Sequence, residues 1–259
     1  MIQLTKIKSD INNAPNLILV PGGPGLSSNT LRSMDILKRS FNLYYVDFPG
    51  SNGNPYLEDK TFGELSLALE SELQKINGIK LVLGHSYGGF FAAELSLKIK
   101  LDGIICVSTP FSEKSLIAAS RNYIANGSQL LFDAEDDWEE KRDDMSLVKW
   151  LAEYGKLYFV NTEGRNLLLN DKVSASYFLA NRSDASQKES MLPLLKQDLT
   201  KKLFIAGKQD VMLPETVLSE DAASGGFNFI SINNASHFVT FDQPESVAGL
   251  IEDFMRQKT

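Results

Sequence analysis

One cysteine and two histidines in 259 residues exclude several kinds of protein at once. A lone Cys106 can form no internal disulfide, which agrees with a reducing compartment. It sits within Gly103-Ile104-Ile105-Cys106-Val107-Ser108, where a buried, inert core residue is expected. So few histidines and cysteines supply too few of the usual transition-metal donors, so neither a metal nor a cofactor is expected. Positive charge is also short: 26 Lys and Arg against 33 Asp and Glu leave a net charge of −7. Phosphate binding needs a basic surface, so nucleic acid is not an expected partner. No apolar run approaches the length of a membrane span. The N-terminal Met1-Ile2-Gln3-Leu4-Thr5-Lys6-Ile7-Lys8 alternates like a strand and lacks the apolar block of a secretion signal. These features suggest a soluble, cytoplasmic chain. Its oligomeric state is not legible.

What is present is ordinary in amount, with 43% apolar and 23% charged residues, and informative in order. Short apolar runs alternate with helical patterns: Asn16-Leu17-Ile18-Leu19-Val20, Asn42-Leu43-Tyr44-Tyr45-Val46, Lys80-Leu81-Val82-Leu83 and the run ending at Val107. Continuous apolar character predicts parallel strands covered on both faces. Between the first two runs, Leu31, Met34, Leu37 and Lys38 keep a helical spacing; between the next two, Phe62, Leu65, Leu69 and Leu73 do so. Such alternation implies a mostly parallel sheet flanked by helices. After Pro110 the pattern breaks into helical stretches at about 115–126, 136–158 and 173–181. Strand signals return at Lys202-Leu203-Phe204-Ile205-Ala206 and Phe227-Asn228-Phe229-Ile230-Ser231-Ile232, and a last helix begins at Pro244. The simplest organisation is one α/β domain, residues 1–110 and 201–259, with a helical cap inserted over 111–200.

Gly84-His85-Ser86-Tyr87-Gly88 follows a predicted strand and precedes a predicted helix. A G-x-S-x-G turn in that position exposes the serine hydroxyl at the top of the sheet. A serine nucleophile needs a base, and the base needs an orienting acid. His85 adjoins Ser86 and cannot fold its ring onto it, which leaves His237, just after the last predicted strand. Asp210, after the strand ending at Ala206, suits the acid; Glu113 is the reserve. Two backbone N–H groups should hold the developing oxyanion. Tyr87 supplies one, and Gly23 in Pro21-Gly22-Gly23-Pro24-Gly25 the other. That loop is no phosphate cradle, since it lacks the spacing and the lysine of one.

The chain resembles the α/β-hydrolase superfamily over nearly its whole length. The match rests on Gly84-His85-Ser86-Tyr87-Gly88-Gly89, Gly207-Lys208-Gln209-Asp210, Ala235-Ser236-His237 and Asp47-Phe48-Pro49-Gly50. The resemblance implies that the last of these supports the oxyanion loop, and that the helical insertion is a lid that shapes substrate choice. Pro21-Gly22-Gly23-Pro24-Gly25 is similar to the H-G-G-P-G loop of proline iminopeptidases, although Pro21 stands where those enzymes carry histidine and Gly84-His85-Ser86 replaces their G-G-S.

Residues 133–144 hold eight carboxylates against Lys141 and Arg142, nearly the whole net charge. They read either as a solvated helix start or as a site for a substrate ammonium group, with Glu135, Glu139 and Trp138 as candidate substrate-binding residues. Trp138, Met145, Val148, Leu151 and Tyr154 are expected to face inward. The leading expectation is a serine hydrolase acting on a small ester or amide. A proline-iminopeptidase-like enzyme acting on short peptides is the specific variant. A ligand-binding protein and a cofactor-free lyase or haloperoxidase on the same fold are the alternatives.

Overall fold

Every side chain of the strand Asn16–Val20 (β2) is buried. The computed structural model describes residues 1–182 and 188–257. Leu17 and Leu19 enter one apolar layer, Ile18 and Val20 the other, so β2 has no wet face. It lies inside a seven-stranded sheet that also contains Gln3–Ile7 (β1), Asn42–Asp47 (β3), Lys80–His85 (β4), Gly103–Val107 (β5), Lys202–Gly207 (β6) and Asn228–Ile232 (β7). The order is β1-β3-β2-β4-β5-β6-β7; β1 runs antiparallel at one edge and the rest are parallel. The C-terminal ends of β4, β5 and β6 therefore share one rim, where α/β sheets place their ligands.

Helices Phe62–Gln74 (α1) and Gly88–Lys98 (α2) cover one face. A reciprocal pair starts α1: Thr61 Oγ1 accepts from the Glu64 amide, and Glu64 accepts from the Thr61 amide. Between β5 and β6 come Glu113–Asn126 (α3), Gln129–Lys141 (α4), Asp144–Tyr158 (α5), Gly164–Leu169 (α6), Ala175–Asn181 (α7) and Met191–Gln197 (α8). Residues 183–187 of that segment lie outside the described residues. Glu215–Ser224 (α9) follows β6, and Val239–Asp242 (α10) and Pro244–Arg256 (α11) follow β7. Leu26, Trp138, Leu147, Leu151, Leu168 and Phe238 form a third apolar cluster, which joins the inserted helices to the sheet rim.

The structure departs from the sequence reading in three places. Ser28–Arg39 is a 3-10 helix: Leu31, Met34 and Leu37, three apart, align on its buried face, while Lys38 turns to solvent. The stretch read as one helix over 136–158 is two, because Arg142 adopts φ 51° and Asp143 caps a new start by accepting from the Ser146 amide. Met145, expected to face inward, is 68% exposed in the first turn of α5.

Candidate active site

Two close backbone approaches shape the turn after β4. A Cβ on Gly84 would lie 2.1 Å from the Gly88 carbonyl oxygen, and one on Gly88 would lie 2.3 Å from that of Val20. Only glycine fits either place. Between them Ser86 is held at φ 50°, a left-handed conformation costly for a residue with a side chain. Its amide donates to the Val107 carbonyl at 2.7 Å and its carbonyl accepts from Gly89 at 2.9 Å. The turn is thus tied to β5 and to the first turn of α2.

His237 and Asp210 meet on the same rim. Nδ1–H of His237 donates to Asp210 Oδ2 at 3.0 Å, with both side chains buried. A carboxylate can only accept, so Nδ1 carries the proton of this bond. The other oxygen, Oδ1, accepts from the Met212 and Leu213 amides at 2.9 Å each, which fixes the carboxylate orientation. Gly207 lets the two loops meet, since a Cβ there would lie 2.3 Å from the Ser236 carbonyl oxygen. Glu113, the reserve acid, is exposed at the start of α3.

Three further residues hold the histidine loop, and sequence reasoning assigned them no such role. His85 is fully buried, and its Nε2–H donates to the His237 carbonyl at 3.1 Å. Burial above all, with His237 nearby, lowers its pKa to about 3, so the ring is neutral. Tyr158 stacks on the His237 ring, and its carbonyl accepts from Phe238 at 3.1 Å. Asp242 accepts from Ser236 at 2.8 Å and from Val160 and Asn161 at 3.1 and 3.0 Å, clamping the end of α5 to the loop. His85 was visible inside the serine motif. Nothing in the sequence marks Tyr158 or Asp242, because the contacts that join α5 to the histidine loop span some 80 residues of chain.

The glycine-rich loop after β2 packs directly on the serine turn. A Cβ on Gly22 would come within 2.9 Å of His85 Nδ1 and 3.3 Å of Ser86 Cβ. Two buried carboxylates hold the following residues. Asp47 accepts from the Ser28 amide at 2.8 Å, and Asp171 accepts from the Ser27 amide at 2.9 Å and from its hydroxyl. Burial raises the Asp171 pKa above the usual carboxylate value. The Ser174 amide also donates to the Gly25 carbonyl at 3.0 Å, so the inserted segment is bonded to this loop.

A cavity of about 260 Å³ opens where these pieces meet. Ser86, His237, Gly23 and Tyr87 all line it, together with Phe90, Leu116, Trp150, Tyr154, Phe178, Arg182 and Met212. Trp138 is buried behind the wall, stacked on Trp150 at 6.4 Å. Glu135 accepts from the Tyr123 hydroxyl at 2.7 Å. Glu139 is bound by Arg182 at 2.8 Å and Arg142 at 3.1 Å, and the Arg182 bond holds its carboxyl below the usual range. None of these three candidates lines the cavity. Six of the eight acidic residues lie along α4, which begins at Gln129, while Asp143 caps α5 and Asp144 stands in its first turn.

Among the described residues, no helix is long and apolar enough to cross a membrane. A thermophilic esterase from Thermogutta terrifontis, with malate bound, superposes with a TM-score of 0.74 at 18% identity, covering 98% of this chain and 93% of that one. A proline iminopeptidase-related protein from Thermus thermophilus gives 0.73 at 20%, covering 98% and 92%. The proline iminopeptidase of Mycobacterium smegmatis gives 0.64 at 17%, covering 99% and 94%. At such identities the likeness establishes the fold alone. A comparison with curated protein sequences finds no match. The sequence profile of the alpha/beta hydrolase family, however, matches residues 17–250, from the first buried strand through the histidine loop into the last helix. The chain belongs to the alpha/beta hydrolase family.

Proposed function

We propose that the protein is a serine hydrolase that cleaves a small ester through an acyl-enzyme, with Ser86 as nucleophile, His237 as base and Asp210 as orienting acid. The observation that carries this reading is the buried 3.0 Å bond from His237 Nδ1 to Asp210, beside a cavity that His237 and Ser86 both line. His237 Nε2 takes the Ser86 Oγ proton as Oγ attacks the carbonyl carbon. The tetrahedral oxygen is held by the Gly23 and Tyr87 amides, at the N-terminus of α2 where the helix dipole favours negative charge. His237 then returns the proton to the leaving group, and water repeats the sequence to release the acid. The inserted segment 111–200 acts as the cap, supplying Trp150, Tyr154, Tyr158 and Phe178 to the cavity wall.

The aminopeptidase reading draws on the Pro21-Gly22-Gly23-Pro24-Gly25 loop and on the two iminopeptidase-type structures. It requires a carboxylate for the substrate ammonium. Glu135 and Glu139 are engaged by Tyr123 and by two arginines instead. An ester is therefore the better-supported substrate.

A fluorophosphonate probe should label the purified protein at Ser86, and Ser86→Ala should lose both labelling and turnover of 4-nitrophenyl butyrate while keeping its melting temperature. Turnover that survives in Ser86→Ala would overturn the assignment. A protein that takes no label yet is stabilised by a small ligand would be a binding protein on this fold.

A further inference from the structure

The cavity carries a charge of the sign opposite to the one the acidic stretch suggests. Among the described lining residues, Arg182 is the one with a fixed charge. It follows α7, with its amide on the Phe178 carbonyl at 2.9 Å, so the two side chains lie one turn apart on the same face. Phe178 packs against the oxyanion loop, its Cβ 3.2 Å from where a Cβ on Gly25 would stand. The Arg182 side chain is 40% exposed while also lining the cavity, which places it at the mouth. Nη1 is bonded to Glu139, a carboxylate that Arg142 also holds. Two guanidinium groups thus share the Glu139 carboxylate. A guanidinium has five N–H donors; among the described residues, Arg182 spends Nη1 on Glu139.

We infer that Arg182 is an anion subsite, and that the substrate is a small ester carrying a carboxylate. The remainder of the wall, including Phe90, Leu116 and Met212, takes up the apolar part of the ligand. A cation beside low-dielectric walls attracts a carboxylate and repels an ammonium group, which gives selection by repulsion as well as by attraction. This inference rests on the hydrolase reading for its chemistry and on Arg182 for its charge, and the two fail separately.

The experiment compares two matched pairs of esters. In the first, the carboxylate is on the acyl side: mono-4-nitrophenyl glutarate against its neutral methyl ester. In the second it is on the leaving group: 4-carboxyphenyl butyrate against 4-(methoxycarbonyl)phenyl butyrate. In at least one pair, the wild-type protein should favour the anionic ester by roughly twofold to fivefold in kcat/KM, the range of a partly exposed arginine–carboxylate contact. The pair that responds identifies which end of the substrate meets Arg182. Arg182→Ala should abolish the preference, read as the ratio of kcat/KM within each pair, so that a general change in activity does not enter the comparison. Equal or neutral-favouring ratios in both pairs, or a preference that persists in Arg182→Ala, would overturn the inference. If no ester is turned over, the hydrolase reading is what fails. The subsite is then read by thermal shift: glutarate, but not glutaramide, should stabilise the wild-type protein and not Arg182→Ala. Equal shifts with the two compounds would overturn it.

Discussion

The Tyr158 ring lies against the His237 imidazole, with centroids 4.4 Å apart and planes 24° from parallel. This contact joins the last turn of an inserted helix to the residue proposed as base, and the Asp242 clamp holds the same two segments together. Tyr158→Ala removes the stacking wall and should lower kcat roughly ten- to a hundredfold, the scale of a small misplacement of a catalytic group. Tyr158→Phe keeps the ring and gives up only the hydroxyl contact with Tyr154. It should stay within about threefold of wild type. Equal losses in the two variants would assign the effect to the hydroxyl instead of the ring.

Asp210 accepts one bond from His237 and two from backbone amides, so its charge and its shape act separately. Asp210→Asn offers nearly the same outline but permits the wrong imidazole tautomer. Steady-state assays should show kcat lower by about three to four orders of magnitude, as when the acid of other triads is amidated. Glu113→Gln, at an exposed position away from the cavity, should leave kcat unchanged. Loss of activity in Glu113→Gln with an active Asp210→Asn would exchange their assignments.

Glycine is required at one position and dispensable at another. Gly84→Ala would place a Cβ 2.1 Å from the Gly88 carbonyl oxygen and 2.5 Å from the Gly89 amide, both of them backbone. Urea unfolding should show a loss above about 3 kcal/mol, the range reserved for strain that cannot relax. Gly249 lies in α11 with nothing within 4 Å of its would-be Cβ, so Gly249→Ala should gain about 0.5–1 kcal/mol in helix propensity. A mild effect at Gly84 would mean that the serine turn is softer than its contacts indicate.

His85 makes stability depend on acidity. Its folded pKa is lowered from 6.5 to about 3, while the unfolded chain binds that proton near 6.5. The unfolded state therefore holds the extra proton throughout the interval between the two values. Stability is fully present above about pH 6.5 and falls as the pH drops towards 3, by about 1.4 kcal/mol per pH unit for this one group. His85→Gln lacks the titrating ring, and its unfolding free energy should fall less steeply between about pH 6 and pH 4. Parallel slopes for the two proteins would remove His85 from the account.

Much of the sheet is legible in the chain because strands buried on both faces leave uninterrupted apolar runs; β2, read at Asn16–Val20, has those bounds in the structure. The serine turn is legible for a similar local reason, since its glycines are demanded by contacts within a few residues of sequence. Asp210 and His237 could be named because each follows a strand whose end lies on the same rim. The 3-10 form of Ser28–Arg39 was hidden, since a spacing of three suits either helix type.

Order along the chain was enough to set the fold and the candidates for nucleophile, base and acid, because β-α-β units wind in only one practical way. Only the folded molecule decided which residues between β5 and β6 meet the cavity. Glu139 and Trp138 carried the local signals of a binding site, yet one is held outside by two arginines and the other lies buried behind Trp150. Arg182 and Tyr158 carried none and reach the cavity. Helical periodicity tells which side of a helix is apolar; it does not tell whether that side faces a neighbouring helix or an empty space, and that is fixed by packing among residues far apart in the chain.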